Sequence, residues 1–321
     1  MKKKIILIAT LVLILSFSIS STAENEKTKI VCTNTVLSDF TSNIVKENVT
    51  ITNIMPGGVC PSHFDTTPEQ VSDIINADII ISLGWEPWLT KLSDKIDNSS
   101  QEQIRCLGFG EWNVPENAKK YVNKISSELL TILEQQNKSI KTNTQNYLEQ
   151  INSTESHLVE IIETMNYKNR KIISMEWQKD FVEYLGLDVS SYYGPEEGLS
   201  TQDKLNVSNV ADNEEVAVII DNLQSGTEFG EQTAEQTGKI HVIFTNFPGG
   251  IENVDSYLEM IEYNTAELVK GIAKYDYKKE NLDITEISNF EFQRNLALVI
   301  ALISIISAIL LYVMYKKKQG E

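Results

Sequence analysis

The chain has 321 residues, with 45 acidic against 28 basic side chains and a net charge of -17. This balance excludes proteins that hold phosphate backbones with clustered Lys and Arg, so no nucleic-acid partner is expected. The three cysteines and three histidines are too few for a disulfide scaffold or a His-rich metal-buffering loop.

The amino terminus, residues 1–23, has the pattern of a secretory signal peptide. Lysines follow Met1, an apolar run extends from Ile5 to Phe17, and a stretch of small residues ends at Ala23. The alternative, a retained membrane helix, needs a longer apolar run than this one. We therefore predict that the mature protein begins near residue 24 and lies outside the cytoplasm.

The external part, from residue 24 to residue 294, alternates strand-like and helix-like segments. The predicted strands are residues 29–33, 49–54, 77–83, 104–107, 170–175, 216–220 and 240–244. The predicted helices are residues 37–45, 68–76, a segment that begins at Pro115, residues 138–166 and residues 177–185. This order predicts an α/β fold with two Rossmann-like parallel-sheet lobes, residues 24–137 and 167–285, bridged by one long rigid linker helix at 138–166.

A second apolar segment lies near the carboxyl terminus. Residues 296–315 contain no charged side chain, and a run of about 20 such residues crosses a bilayer as a helix. Lys316, Lys317 and Lys318 follow at once, and basic residues stay on the cytoplasmic side. We predict one transmembrane helix at 296–315 and a cytoplasmic tail at 316–321, with the bulk of the protein extracytoplasmic.

Residues suited to metal binding follow predicted strands, at the edge where open α/β sheets bind ligands. After residues 49–54, a Gly- and Pro-rich loop carries Cys60, His63 and Asp65. A C-x-x-H pair can hold one soft or borderline metal ion, although a loop histidine beside a packed cysteine gives the same pattern. Loops after later strands add Glu111, Glu176 and Asn246.

Taken in order, these segments resemble the substrate-binding receptors of zinc/manganese ABC importers. Residues 30–45 (IVCTNTVLSDFTSNIV) are similar to that family's opening strand and helix, and residues 54–68 to its first metal loop. The further matching segments are residues 77–89 (ADIIISLGWEPWL), 112–122 (WNVPENAKKYV) and 255–268 (DSYLEMIEYNTAEL). The resemblance implies a divalent metal ion as transported ligand and an ABC permease as partner, and we expect a monomer.

The usual metal ligands of that family do not carry over. That family uses four ligands in chain order: a His, a second His, a His or Glu, and an Asp or Glu. The resemblance places these four positions on Ser62, Gly110, Met175 and Asn246, in that order. We interpret the chain as a variant that lacks most of the usual His ligands. The residues available for a rebuilt metal site are His63, Cys60, Glu176, Glu111 and Asn246.

The identity of the ion depends on which of these residues bind it. Thiolate and imidazole from Cys60 and His63 favour zinc over manganese, so zinc is expected first. Oxygen ligands alone, from the two glutamates and Asn246, would suit a harder ion. A bound solute other than a metal stays open, with a cleft lined by Trp85, Trp88, Trp112 and Trp177.

Three further alternatives stay open. Cys60 and Cys106 could form a disulfide in an oxidising compartment, which would remove Cys60 from a metal site. A surface adhesin is another possibility, because the family resemblance is shared by proteins first described as adhesins. An enzyme with Cys60 as nucleophile and His63 as base lacks an oxyanion motif, so we expect no enzyme.

The remaining histidines lie outside these loops. His157 is expected to be a solvated residue among charged neighbours on the long helix. His241 opens a predicted strand and is expected to have a structural role.

Overall fold

The computed structural model describes residues 27–92, 101–108, 110–213, 215–280 and 288–319. The predicted signal peptide, residues 1–23, and the last two residues of the predicted tail lie outside the described residues.

The first lobe is a four-stranded parallel sheet with helices packed on it. Its strands, in the order β2-β1-β3-β4 across the sheet, are β1 (Thr28–Asn34), β2 (Val49–Met55), β3 (Ile79–Ser82) and β4 (Glu102–Arg105). Its helices are α1 (Thr35–Ile44), α2 (Pro68–Ile75), α3 (Pro87–Thr90) and α4 (Pro115–Ile132). All four residues of β3 are buried, as expected of a central parallel strand covered on both faces.

A single helix of 28 residues, α5 (Asn137–Thr164), joins the two lobes. At 1.5 Å per residue it is about 42 Å long. Ile151 and Leu158 lie on its buried face and belong to a hydrophobic core shared with both lobes. Tyr147 of the same face donates its hydroxyl to Asp39 Oδ2 of α1 at 2.6 Å, which fixes the linker against the first lobe.

The second lobe repeats the architecture of the first. Its strands, in the order β6-β5-β7-β8, are β5 (Lys171–Met175), β6 (Asp188–Tyr193), β7 (Val216–Asn222) and β8 (Ile240–Phe244), all paired in parallel. Its helices are α6 (Glu176–Tyr184), α7 (Thr201–Ala211), α8 (Glu228–Thr237) and α9 (Tyr257–Glu280). Helix α9 packs on β7 and β8 and also contacts α5.

The two sheets place their ligand-binding edges in equivalent positions. β1 lies between β2 and β3, and β5 lies between β6 and β7, so the strand order reverses at β1 and at β5. In open α/β sheets the crevice outside the carboxyl ends at such a reversal is where ligands bind. The predicted fold of two parallel-sheet lobes and one long helix is confirmed. β6, α3, α7 and α8 have no counterpart among the predicted elements, and α9 overlaps the matching segment at residues 255–268.

A final helix, α10 (Ser288–Gln319), contains the predicted membrane segment. Its part Leu296–Lys316 is long and apolar enough to cross a membrane, and its most apolar stretch is not buried against the protein. Leu298, Leu311 and Tyr312 are all exposed. A core helix of a soluble protein would bury such side chains, so their exposure is typical of a segment that faces lipid.

Candidate functional site

A cavity of about 310 Å³ lies between the carboxyl ends of the two sheets. It is lined by loops from both lobes. The first lobe contributes Cys60, Pro61, Ser62, His63, Trp85, Gly110 and Trp112, and the second contributes Trp177, Pro195, Glu197, Asn222, Gln224, Ser225, Gly226, Asn246 and Phe247. This volume is near the lower end for small-molecule pockets, so the cavity is larger than a bare metal ion requires.

The loop between β2 and α2 brings Cys60 and His63 to the cavity. The N–H of His63 donates to the carbonyl of Cys60 at 3.1 Å, so a tight turn holds both side chains on one short segment. Helix α2 begins directly afterwards, where Thr67 and Gln70 cap each other's main-chain N–H groups. This capping box stabilises the helix start and anchors the loop.

A histidine and a glutamate face each other across the cavity from different lobes. His63 Nε2 of the first lobe lies 3.7 Å from Glu197 Oε1 of the second lobe, and the two side chains are 63% and 67% exposed. An exposed pair of this kind contributes little to stability. Imidazole and carboxylate are both zinc ligands, however, so a metal ion between them would connect the lobes.

Side-chain amides occupy the inner wall of the cavity. Asn246 is 7% exposed, and its Oδ1 accepts hydrogen bonds from Asn113 Nδ2 at 2.7 Å and Gln178 Nε2 at 2.8 Å. Asn113 Nδ2 also donates to the main-chain carbonyl of Trp177 at 3.1 Å. A carbonyl can only accept, so this contact determines the orientation of the Asn113 amide and, through it, that of Asn246.

The orientation of Asn246 decides what this residue offers to a ligand. With Oδ1 held by two donors, Nδ2 is the end near Gly110, where it lies 3.9 Å from the place that a Cβ on Gly110 would take. Both residues line the cavity. Asn246 therefore presents an N–H donor to the cavity and would have to rotate its amide before it could bind a cation.

The lobes also contact each other directly beside the cavity. Gln224 Nε2 of the second lobe donates to the carbonyl of Gly57 in the first at 2.7 Å, and Trp112 Nε1 donates to the carbonyl of Asn246 at 2.9 Å. A Cβ on Gly57 would lie 2.0 Å from the carbonyl oxygen of Pro248. Residue 57 must therefore be glycine for the two main chains to approach this closely.

Three of the four tryptophans line the cavity, and the buried carboxylate of Glu86 positions one of them. Glu86 is 4% exposed and accepts hydrogen bonds from Thr33 Oγ1 at 2.5 Å and from the N–H groups of Leu83 and Trp85 at 2.8 and 3.1 Å. These bonds tie the loop after β3 to the end of β1. Trp88 lies instead in the hydrophobic core, with its ring 5.4 Å from that of Phe64, so its predicted place in a cleft is wrong.

The five residues predicted as metal ligands are brought together only in part. Cys60, His63 and Asn246 line the cavity, whereas Glu111 and Glu176 are not among its lining residues. Glu111 Oε2 lies 3.4 Å from the hydroxyl of Tyr121. Within the described ranges, no group of three or more His, Cys, Asp or Glu side chains is arranged to hold a metal ion.

Glu176 lies at the start of α6 with its carboxylate near Gly194, where a Cβ would come within 3.4 Å of Oε1. The residue that sequence reasoning missed is Glu197, in the loop after β6. No strand was predicted directly before this glutamate, so the sequence did not indicate that it lies at the carboxyl edge of the sheet.

The cysteines and the remaining histidines have clear environments. Cys32, Cys60 and Cys106 are all free thiols, so the alternative of a Cys60–Cys106 disulfide is not present in the structure. His241 Nε2 lies 2.7 Å from Asp221 Oδ2 in a structural contact within the second lobe. His157 is 8% exposed, and burial lowers its pKa, so the prediction of a solvated residue is wrong.

Comparisons with known proteins agree with the two-lobed fold. A family model described as zinc-uptake complex component A, periplasmic, matches residues 30–271. The manganese ABC transporter substrate-binding lipoprotein PsaA of Streptococcus anginosus is 22% identical over 282 residues, which cover 78% of this chain and 90% of the relative. The manganese-binding lipoprotein MntA of Halalkalibacterium halodurans is 24% identical over 273 residues, with coverages of 78% and 90%.

Among solved structures, the periplasmic zinc-binding protein TroA of Treponema pallidum superposes with a TM-score of 0.68 at 16% identity, over 77% of this chain and 99% of TroA. The relatives' names refer to transport and metal binding, so the adhesin alternative is not favoured. Because the family model spans most of the sequence, the chain belongs to the zinc-uptake complex component A family of substrate-binding receptors.

Proposed function

We propose that this protein is the extracytoplasmic receptor of an ABC importer and that it captures a zinc-class divalent cation at the cavity between its lobes. The observation that carries the proposal is the approach of His63 and Glu197, one from each lobe, to 3.7 Å. An ion held by both side chains would link the lobes. Membership of a metal-receptor family supports the same role.

We also assign Cys60 to the ion, and its side chain would have to move toward His63 and Glu197, because these three side chains are not arranged around one ion position in the structure. It is a free, half-buried thiol on the same turn as His63 and lines the same cavity. A thiolate and an imidazole favour zinc over manganese. Glu111, Glu176 and Asn246 stay as predictions, to be compared with Glu197 by substitution.

We further propose that the protein is a monomeric, non-catalytic receptor held at the membrane by residues 296–315, with residues 316–321 in the cytoplasm. The apolar and exposed Leu296–Lys316 segment supports this assignment. Such an anchor would keep the receptor beside the permease and ATPase of its importer, which we propose as its partners.

The test uses the full-length protein, purified in detergent and stripped of metal. Zinc and manganese binding are measured by equilibrium dialysis with elemental analysis. We expect one zinc per chain and weaker manganese binding. His63→Ala and Glu197→Gln should each weaken zinc binding about tenfold or more, because loss even of a residue that only supports a metal ligand costs that much.

Glu47→Gln is the matched control, since it neutralises one exposed carboxylate outside the cavity lining. Glu111→Gln and Glu176→Gln test the two predicted ligands that lie outside that lining. Cobalt provides an independent readout, because a thiolate ligand gives a charge-transfer band that Cys60→Ser should abolish. The proposal is contradicted if the wild type retains no divalent ion, or if the control Glu47→Gln loses as much affinity as His63→Ala and Glu197→Gln.

A further inference from the structure

The inner wall of the cavity is chemically unlike a site for a bare cation. Asn246 is more than nine-tenths buried, its oxygen is held by two amide donors, and its Nδ2 is directed toward Gly110 in the cavity lining. An amide N–H repels a metal ion and pairs with a carbonyl or carboxylate oxygen. This wall is therefore built to recognise an acceptor.

The other side-chain amides that line the cavity, those of Asn222 and Gln224, do not offer an oxygen in its place. Gln224 Oε1 accepts from the N–H of Asn246 at 3.1 Å and from Asn222 Nδ2 at 3.0 Å. Asn222 Oδ1 accepts from the hydroxyl of Ser225 at 3.0 Å. The acceptors of these two lining amides are thus engaged with neighbouring residues. Asn113 Oδ1 and Gln178 Oε1 accept no hydrogen bond, but neither residue is among those that line the cavity. The donor of Asn246 is therefore the amide group directed to a ligand.

The charges and dimensions of the cavity point the same way. Among the described residues that line it, the carboxylate is Glu197 and the imidazole is His63, while Trp85, Trp112 and Trp177 supply large aromatic surfaces. A volume of about 310 Å³ exceeds what an ion alone needs and suits a molecule of amino-acid size. Cys60, His63 and Glu197 also leave a zinc ion short of ligands unless a further donor completes its tetrahedral shell.

We propose that the ion enters this cavity as a complex with a small organic carboxylate, and that one carboxylate oxygen of this carrier accepts a hydrogen bond from Asn246 Nδ2. The carrier supplies the ligands that the protein lacks. Its organic part fills the space between the tryptophans. This inference rests on the proposed function, because it keeps the ion at Cys60, His63 and Glu197. It adds the chemical class of the molecule that binds together with the ion.

The experiment asks whether a small carboxylate binds to the protein together with zinc or whether zinc binds without it. Metal-free full-length protein in detergent is dialysed against tritiated L-histidine, L-aspartate or citrate, each with and without zinc chloride, and against zinc chloride alone. If the carrier is bound with the ion, at least one of these carboxylates is retained in equal amount with zinc and is not retained without it. If the protein binds only the bare ion, zinc is retained and none of the labelled carboxylates is retained with it.

Asn246→Asp tests the assigned donor. The carboxylate keeps an oxygen acceptor for Asn113 and Gln178 but replaces the inward N–H with a negative oxygen. We expect retention of the labelled carboxylate to fall about tenfold or more, in line with the loss of one hydrogen bond to a charged group, while binding of zinc alone strengthens. Asn206→Asp, on the exposed face of α7, is the control of equal charge.

The outcomes separate this inference from the proposed function. Zinc bound with none of the labelled carboxylates retained overturns the inference and leaves the receptor function intact. Retention of a carboxylate without zinc, or of no probe at all, overturns both. Circular dichroism checks that Asn246→Asp is folded, and the wild-type dialysis decides the question even if that variant is not.

Discussion

The contact of Gly57 with the second lobe gives the sharpest test of how the cavity is held together. Gly57→Ala places a methyl group 2.0 Å from the carbonyl oxygen of Pro248 and 2.7 Å from the nitrogen of Gly250. Both neighbours are main-chain atoms, so no side-chain rotation can relieve the overlap. The neighbouring Gly58 has no atom within 4 Å of the equivalent position, which makes Gly58→Ala a matched control.

The expected cost of Gly57→Ala has two parts. Overpacking of a well-packed contact costs about 1–3 kcal/mol. The lobes must separate to accept the methyl group, and this breaks the 2.7 Å hydrogen bond from Gln224 Nε2 to the Gly57 carbonyl, which costs about 1 kcal/mol more. We expect a loss of about 2–4 kcal/mol in the free energy of unfolding, against no loss for Gly58→Ala.

The assay is urea unfolding followed by tryptophan fluorescence, because Trp85, Trp112 and Trp177 line the cavity. Gly57→Ala should lower the unfolding midpoint and also shift the native emission to longer wavelength as the cavity opens to water. Zinc affinity should fall with it, since the ion is proposed to bind both lobes. Equal stability and equal emission for the two alanine variants would refute this account of the contact between the lobes.

Three further predictions concern single buried or half-buried groups. Burial raises the pKa of Asp39 to about 6, above its unfolded value of about 4. The native state therefore binds this proton more tightly, and stability should fall as pH rises from about 4 to 6. Urea midpoints measured across that range should decline less in Asp39→Asn than in the wild type, and an equal decline in both proteins would contradict the assignment. Glu86→Ala leaves one hydroxyl and two main-chain N–H groups without their buried acceptor, so we expect the free energy of unfolding to fall by about 3–5 kcal/mol. The exposed control Glu47→Ala should change that free energy by less than about 0.5 kcal/mol. Iodoacetamide at pH 8 should alkylate Cys60 first, because burial raises the pKa of the other two thiols to about 12. Mass spectrometry should find this reaction slowed by zinc, and earlier modification of Cys32 or Cys106 would count against it.

Much of the fold could be predicted because its strongest signals are local. The apolar run at β3 and the helical periodicity of α5 are each visible within a short window, and both are found in the structure. β6 carries no comparable signal, since its residues alternate between exposed and half-buried until Tyr193. Because β6 was not predicted, the position of Glu197 in the loop after it was not predicted either.

His157 shows how neighbouring charges can mislead. It follows Thr154 by three residues and precedes Ile161 by four, and both are buried, so the helical period alone places it on the inner face. The charged residues beside it in sequence lie on other faces of α5.

The orientation of Asn246 could not be predicted from the sequence. It depends on a hydrogen bond to Asn113, which is 133 residues away in the chain, and on the carbonyl of Trp177. Sequence identifies an amide at this position. Only the folded contacts determine whether its oxygen or its nitrogen meets a ligand.

The bonds between the lobes have a consequence for how such a receptor can diverge. Gln224, Trp112 and Asn113 donate across the interface to the main-chain carbonyls of residues 57, 246 and 177. Residue 57 must stay glycine, but the main-chain acceptors of residues 177 and 246 persist whatever side chain those residues carry. Mutation can therefore exchange an acidic ligand for an amide at residue 246 while the lobes stay docked, so ligand preference can drift during evolution without a matching loss of the architecture that surrounds it.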